Sequence, residues 1–269
     1  MLTWNRYGKS RIRLVTVDRA GDAHQLRDLT VDVQLEGAFD RVYTDGDNAA
    51  CLPTDTMKNT VYALARRHGV DRVEAFLARL ADHFAAKPGV SRVRVSAVEQ
   101  PWRRLSPHAF EQAGAEQWTA LVVRSGDDVD IESGLSNLVL LKTADSAFSG
   151  FPRDEFTTLP ETRDRILATA VTARWQYARD VADFAQRDRV RAALVDTFAA
   201  HRSESVQHTL DAMGRAALAA APDATRITLT LPNRHHLLVD LSPFGLDNPG
   251  EVFVATDQPF GLIEATIAR

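Results

Sequence analysis

Cysteine is nearly absent: Cys51 stands alone among 269 residues, which excludes an intrachain disulfide framework and a cysteine-built zinc site and suits a reducing interior. No apolar run approaches the ~18 residues that a membrane-spanning helix needs, and the N-terminus has neither the apolar core nor the cleavage pattern of a secretory leader. A dominant charge is missing too. With 32 basic against 36 acidic residues the formal charge is -4, so nothing broad in the electrostatics calls for nucleic acid or an anionic membrane as a partner. The Arg66-Arg67-His68 and Arg187 to Arg191 clusters read as solvated helix faces. The glycines form neither a phosphate-binding loop nor a dinucleotide fingerprint. His235 and His236 are adjacent, and neighbours on a strand face opposite sides, so no metal is expected. The chain ends Ile267-Ala268-Arg269, without a Ser-Lys-Leu peroxisomal address, and cytoplasmic residence is the expectation.

What is present is enough to build a core: 45% of the residues are hydrophobic, in a length that suits one large or two ordinary domains. Lys9 to Arg19 and Leu26 to Leu35 are rich in branched residues and separated by Ala20-Gly21-Asp22, which predicts a hairpin. Met57, Val61, Leu64 and Ala65 recur at helical spacing between Thr54 and His68. Pro53 and the Thr54-Asp55 pair give the start signal and Gly69 the stop. Val73, Phe76, Leu77, Leu80, Ala81 and Phe84 form a second stripe, ended by Lys87-Pro88-Gly89. Strands return at Val93 to Ala97 and Thr119 to Arg124.

The second half repeats the order. Strands are predicted at Leu138 to Thr143 and Ile166 to Tyr177, helices at Val181 to Ala200 and Val206 to Ala219, and strands at Thr225 to Leu231 and His235 to Leu241. No residue-by-residue repeat accompanies this symmetry. Strands bracketing paired helices predict antiparallel α+β units with helices on one sheet face and an edge in need of a partner.

Phe148, Arg165, Val206 with Gln207, and Asn233 with His235 are the residue types that hold a flat, nitrogen-rich heterocycle. A benzene ring stacks on a π-surface, a guanidinium forks onto two in-plane acceptors, and an amide both donates and accepts. Taken singly each has an ordinary reading: Phe148 as core filler, Thr54 or Asp55 as a helix cap, Arg165 as a surface charge, His235 as a strand residue. Lys9 shares its strand parity with Arg11 and Arg13, the pattern of a solvated face.

Longer motifs join these residues. Asp47-Asn48, the run Pro53 to Thr60, Ser146 to Phe151 leading into Arg153 to Leu159, Asp164 to Leu167 with Trp175, Leu231 to His235, and Gly245 to Glu251 together resemble the urate oxidase family. The likeness extends from Tyr7-Gly8-Lys9 to Gly261 to Thr266. It implies two tandem T-fold (tunnelling-fold) domains, 1–137 and 138–269. Their antiparallel sheets, with paired helices on one face, would form an intersubunit β-barrel, and two barrels a homotetramer with active sites at dimer interfaces.

The resemblance further implies oxidation of urate by dioxygen to 5-hydroxyisourate and hydrogen peroxide, without a cofactor. Phe148 would lie against the urate plane and Arg165 on one edge, with Gln207 and the Val206 amide on the opposite edge. Lys9 and Thr54 would remove a proton, with His235 completing the relay to water. Asn233 would hold dioxygen above the plane, and Thr54 and Asp55 would reach the same site from a neighbouring subunit. Phe156 stands where the family commonly has Tyr. The competing readings are another purine- or pterin-processing enzyme of the same fold, with different proton-transfer residues, and a purine-binding protein without turnover. Retention of Lys9, Thr54 and His235 argues against the first.

Overall fold

The computed structural model describes the whole chain except residues 179, 180, 182 and 183 and, for its side chain, 257. The chain forms two compact units, one of residues 1–135 with 175–185 and the other of 136–174 with 186–269.

In the first unit β1 (Tyr7–Asp18) and β2 (Gln25–Gly37) make the predicted hairpin. A short helix α1 (Asp40–Thr44) follows, then α2 (Thr54–His68) and α3 (Val73–Ala85). Strands β3 (Val90–Glu99), β6 (Gln117–Ser125) and β7 (Asp128–Lys142) come after them, with the small hairpin β4 (Trp102–Arg104) and β5 (Phe110–Gln112) inserted before β6. The sheet order is β1-β2-β3-β6-β7, and the register pairs Val31 with Ala97, Val33 with Val95 and Leu35 with Val93. Those residues are buried on one face beneath Met57 and Val61 of α2 and Phe76, Leu77, Leu80 and Phe84 of α3. Full burial of each large apolar side chain contributes about 1.5–3 kcal/mol, so this face holds the helices to the sheet. The α2 and α3 stripes match the periodicity in the sequence, because helical spacing is a local property of the chain.

The second unit takes the end of β7 and most of β8 (Leu167–Tyr177), then α4 (Arg187–Ala200), α5 (Val206–Ala220), β9 (Ala224–Leu238) and β10 (Phe253–Ala268). Of the predicted helix from Val181, residues 182 and 183 lie outside the described ones, and the described helix begins at Arg187. Val206, Leu210, Met213 and Ala217 are buried as their spacing requires. A Cβ on Gly214 would come within 2.5 Å of the Ile267 side chain, so the bare glycine lets α5 lie close against β10.

Two expectations are corrected here. The strands foreseen at Thr225 to Leu231 and His235 to Leu241 are one continuous strand, β9, and its partner β10 was not foreseen. Pro232 removes one ladder donor without ending the strand. The irregularity falls on β10, where residues 257–260 lie between the partners of His235 and Asn233 (Thr256 and Gly261) while β9 has Arg234 alone. Asp247-Asn248-Pro249-Gly250 has the residue types of a turn, and it lies in the link between these strands. Asn248 closes it by donating to the carbonyls of Val239 and Val252 and accepting from the amides of Glu251 and Val252.

Candidate active site

Lys9 sits where the first edge strand breaks its register. Lys9 pairs with Val33 and Ile12 with Val31, so three steps on β1 match two on β2. The bulge carries Arg11 at φ 58° and turns its amide onto Asp32 Oδ1 at 2.6 Å. Directly opposed residues of a ladder share a face, so Lys9 lies on the side of buried Val31, Val33 and Ile12, the side that α2 covers. Parity counted along the sequence put Lys9 with Arg13 instead. The extra residue reverses that count, and Arg13 faces away to bond Thr30 and Asp28.

Thr54 and Asp55 are the first two residues of α2. Pro53 occupies the cap position in extended conformation, and no side chain caps the helix start. The ordinary reading of Thr54 or Asp55 as a cap is therefore corrected: Thr54 is half-buried with its hydroxyl free of capping duty. The Asp55 carboxylate turns sideways onto Lys58 and onto Asn59 at 3.0 Å. The hydrogen bond and charge of Lys58 hold the Asp55 carboxyl below its ordinary range, with smaller contributions from Asn59 and from the charge of Lys9. Tyr7, two residues before Lys9, packs edge-on against Phe39. Its hydroxyl lies against Cys51 and the Leu52 backbone, where burial pushes it up to about 12, so β1 also braces the loop that delivers Thr54.

In the second unit three segments converge. Ser146 bridges Ser203, and the Ala147 amide donates to the Ser203 carbonyl at 2.7 Å. Phe148 exchanges both backbone hydrogen bonds with Thr162 at 2.8 and 3.0 Å. Phe148 is thereby tied to the approach to α5 on one side and to the segment carrying Arg165 on the other. Phe151 stacks on Phe148 with centroids 4.9 Å apart and planes 15° apart. The Arg165 guanidinium carbon lies 5.3 Å from the Phe148 centroid. Arg165 is half-buried, its Nε has no hydrogen-bond partner, and removal from water lowers its pKa.

Ser205 caps α5 by accepting from the His208 amide at 3.1 Å. The next two backbone N–H groups, of Val206 and Gln207, point out of the helix end without intrahelical partners. Such an end favours a negative group in front of it. Val206 is buried and holds the turn in place, whereas the Gln207 side chain is exposed. Asn233 and His235 occupy alternate positions of β9 on the face of buried Leu229 and Leu231, and His236 points away, its Nδ1 3.2 Å from the Arg234 carbonyl. Asn233 pairs with Gly261 and His235 with Thr256, so the β10 bulge opens directly opposite them. Lys9 in the first unit, and Asn233 and His235 in the second, thus lie beside an irregularity in an edge strand.

Among the described residues no group of three or more His, Cys, Asp or Glu side chains is arranged to hold a metal ion. The residues that sequence reasoning passed over are the braces: Lys58 and Asn59 on Asp55, and Ser203 and Ser205 at the α5 entry. The i, i+3, i+4 spacing of Asp55, Lys58 and Asn59, and the serine before an apolar stripe, were the signals available for them.

The family model described as Uricase matches residues 5–126 and 131–264. This chain belongs to the uricase family. Among similar uricases, that of Arthrobacter globiformis is 47% identical over 100% of this chain and 90% of its own. That of Oryctolagus cuniculus is 37% identical over 98% of this chain and 93% of its own. The crystal structure of the Arthrobacter globiformis uricase superposes with a TM-score of 0.96 and 47% identity, covering 100% of this chain and 95% of that one. A uricase from Bacillus fastidious, at 23% identity and a TM-score of 0.85, shares the fold over 98% of this chain and 93% of that one. The T-fold, α+β class of the uricases is thus the class of this chain, with antiparallel strands and helices on one face.

Proposed function

We propose that this chain oxidises urate with dioxygen and water to 5-hydroxyisourate and hydrogen peroxide. The observation that carries this reading is Arg165: a half-buried guanidinium with an unpartnered Nε, held over Phe148 near the open end of α5, in a chain of the uricase family. Phe151 stacks on Phe148, and in this reading a planar ligand lies against the Phe148 ring with its edge on the guanidinium. A planar fork binds two adjacent acceptors of an anion, where a lysine offers a point charge. Gln207 and the Val206 amide take the opposite edge of the ring, and the helix end favours the negative charge of deprotonated urate.

Lys9, Thr54 and His235 move the proton. A threonine hydroxyl is a weak base unless a neighbour accepts its proton, and Lys9 on the α2 side of β1 is that neighbour. His235 passes the proton on to water, while Asn233 holds dioxygen above the ring. The electron-rich urate dianion itself supplies the electrons that reduce dioxygen, so the reaction calls for no cofactor. Lys9, Thr54 and Asp55 belong to the first T-fold domain, taken as 1–137, and the remaining residues to the second, 138–269. We assign each site to the first domain of one protomer and the second of its neighbour, in a homotetramer. No helix among the described residues is long and apolar enough to cross a membrane, and we place the enzyme in the cytoplasm.

The test mixes protein freed of metals and flavin with urate under air and follows the ultraviolet band of urate together with peroxide. Loss of the band with matching peroxide is expected. Binding without turnover would make the chain a purine-binding protein, and turnover abolished by a chelator would end the cofactor-free mechanism.

A further inference from the structure

Both oxygens of the Asp55 carboxylate are engaged within the first turns of α2, Oδ1 by Lys58 Nζ at 2.5 Å and Oδ2 by Asn59 Nδ2 at 3.0 Å. The i, i+3, i+4 spacing sets these side chains on one side of the helix. Lys9 lies on the sheet face that α2 covers, and its charge also reaches Asp55. The charged and titratable groups acting on Asp55 are Lys58 and Lys9, and those acting on Lys58 are Asp55 and Tyr62. An exposed ion pair of this kind adds little to stability, so its contribution lies elsewhere. A carboxylate left free beside Lys9 would favour the lysine's charged form, and a charged lysine cannot act as a base.

We propose that Lys58 is a positioning residue for proton transfer: with Asn59 it occupies the Asp55 carboxylate and keeps it from pairing with Lys9, leaving Lys9 able to work as base through Thr54. The proposal rests on the function proposed above. Lys58 acts through Asp55 and has no part in binding the purine ring.

The experiment measures kcat/KM for urate against pH in the full-length protein and in Lys58→Met, Lys58→Arg and the double variant Lys58→Met with Asp55→Asn. In Lys58→Met the acid limb moves upward by roughly 0.5 to 1 pH unit, a small shift because the group is exposed to solvent. Lys58→Arg keeps the limb of the parent. The double variant restores it, because no carboxylate remains to capture Lys9. An unmoved limb in Lys58→Met, or a shift that persists in the double variant, overturns the proposal. Should the parent protein consume no urate, the proposed function fails, and the electrostatic effect is read from Lys9 directly. For this the lysine ε-carbons are labelled with 13C, titrated by NMR and assigned with Lys9→Met. An upward shift of the Lys9 titration in Lys58→Met supports the shielding of Lys9 from Asp55 on which the proposal is built, and an identical titration overturns it.

Discussion

Arg165 lies with its guanidinium carbon 5.3 Å from the centre of the Phe148 ring, and no carboxylate among the described residues is paired with it. A cation partly withdrawn from water and left without a counterion is prepared for an anionic ligand. Hydrogen bonds to charged groups contribute about 1.5–3 kcal/mol, and much of that depends on the two-pronged geometry. Arg165→Lys is therefore expected to weaken binding of a non-reacting planar purine anion by roughly 10- to 100-fold in calorimetry. Binding as tight as in the parent protein would remove Arg165 from the site.

Lys9→Met and Thr54→Ala act on proton removal and leave the ring contacts in place. Each is expected to lower kcat by about 10²- to 10⁴-fold with a much smaller change in KM. Thr54→Ala keeps α2 intact, because Thr54 does not cap it. Steady-state kinetics decide the matter, and parental kcat in both variants would dismantle the relay.

Gly8 gives a backbone test of the Lys9 position. A Cβ there would stand 1.9 Å from the Val33 carbonyl oxygen, whereas one on Gly21 would meet nothing within 4 Å. Gly8→Ala must push β1 away from β2 beside Lys9, and a loss of about 1–3 kcal/mol is expected, together with most of the activity. Gly21→Ala, in the turn of the same hairpin, should leave both unchanged. Chemical denaturation and urate turnover of the two variants provide the comparison.

Burial lowers the pKa of His201, helped by His208 and Lys142, and burial likewise lowers that of His83. The folded state then binds fewer protons than the unfolded one below the ordinary histidine value of about 6.5. The associated stability is present above that value and falls as the pH drops through it. The thermal midpoint should decline between about pH 7 and pH 5. His201→Gln should flatten part of that decline, since an amide has no proton to gain in this range. An unchanged slope would assign the acid sensitivity to other groups.

The helices were legible in the sequence because an amphipathic stripe is set by neighbours three and four residues apart. Thr54 to His68 and the buried face of Val206, Leu210, Met213 and Ala217 are where the spacing puts them. The turn at Asn248 was legible for the same reason, its side chain bonding backbone groups within a few residues at the carbonyl of Val252 and the amides of Glu251 and Val252. The candidate residues themselves were named from sequence, though as members of a family pattern and with ordinary alternatives for each one taken alone.

Tertiary structure decided which way those residues face and what they leave unpaired. Lys9 changed sides because a bulge inserts one residue into β1, an event fixed by the neighbouring strand and invisible to a count along the chain. Pro232 and Asn233 stayed in strand because β10 absorbs the irregularity. Arg165 reached Phe148 through backbone bridges between segments distant in sequence. Periodicity along the chain determined where helices lie. Register between strands and bridges between remote segments depend on partners brought together by folding, and they determined the chemistry that each side chain is free to perform.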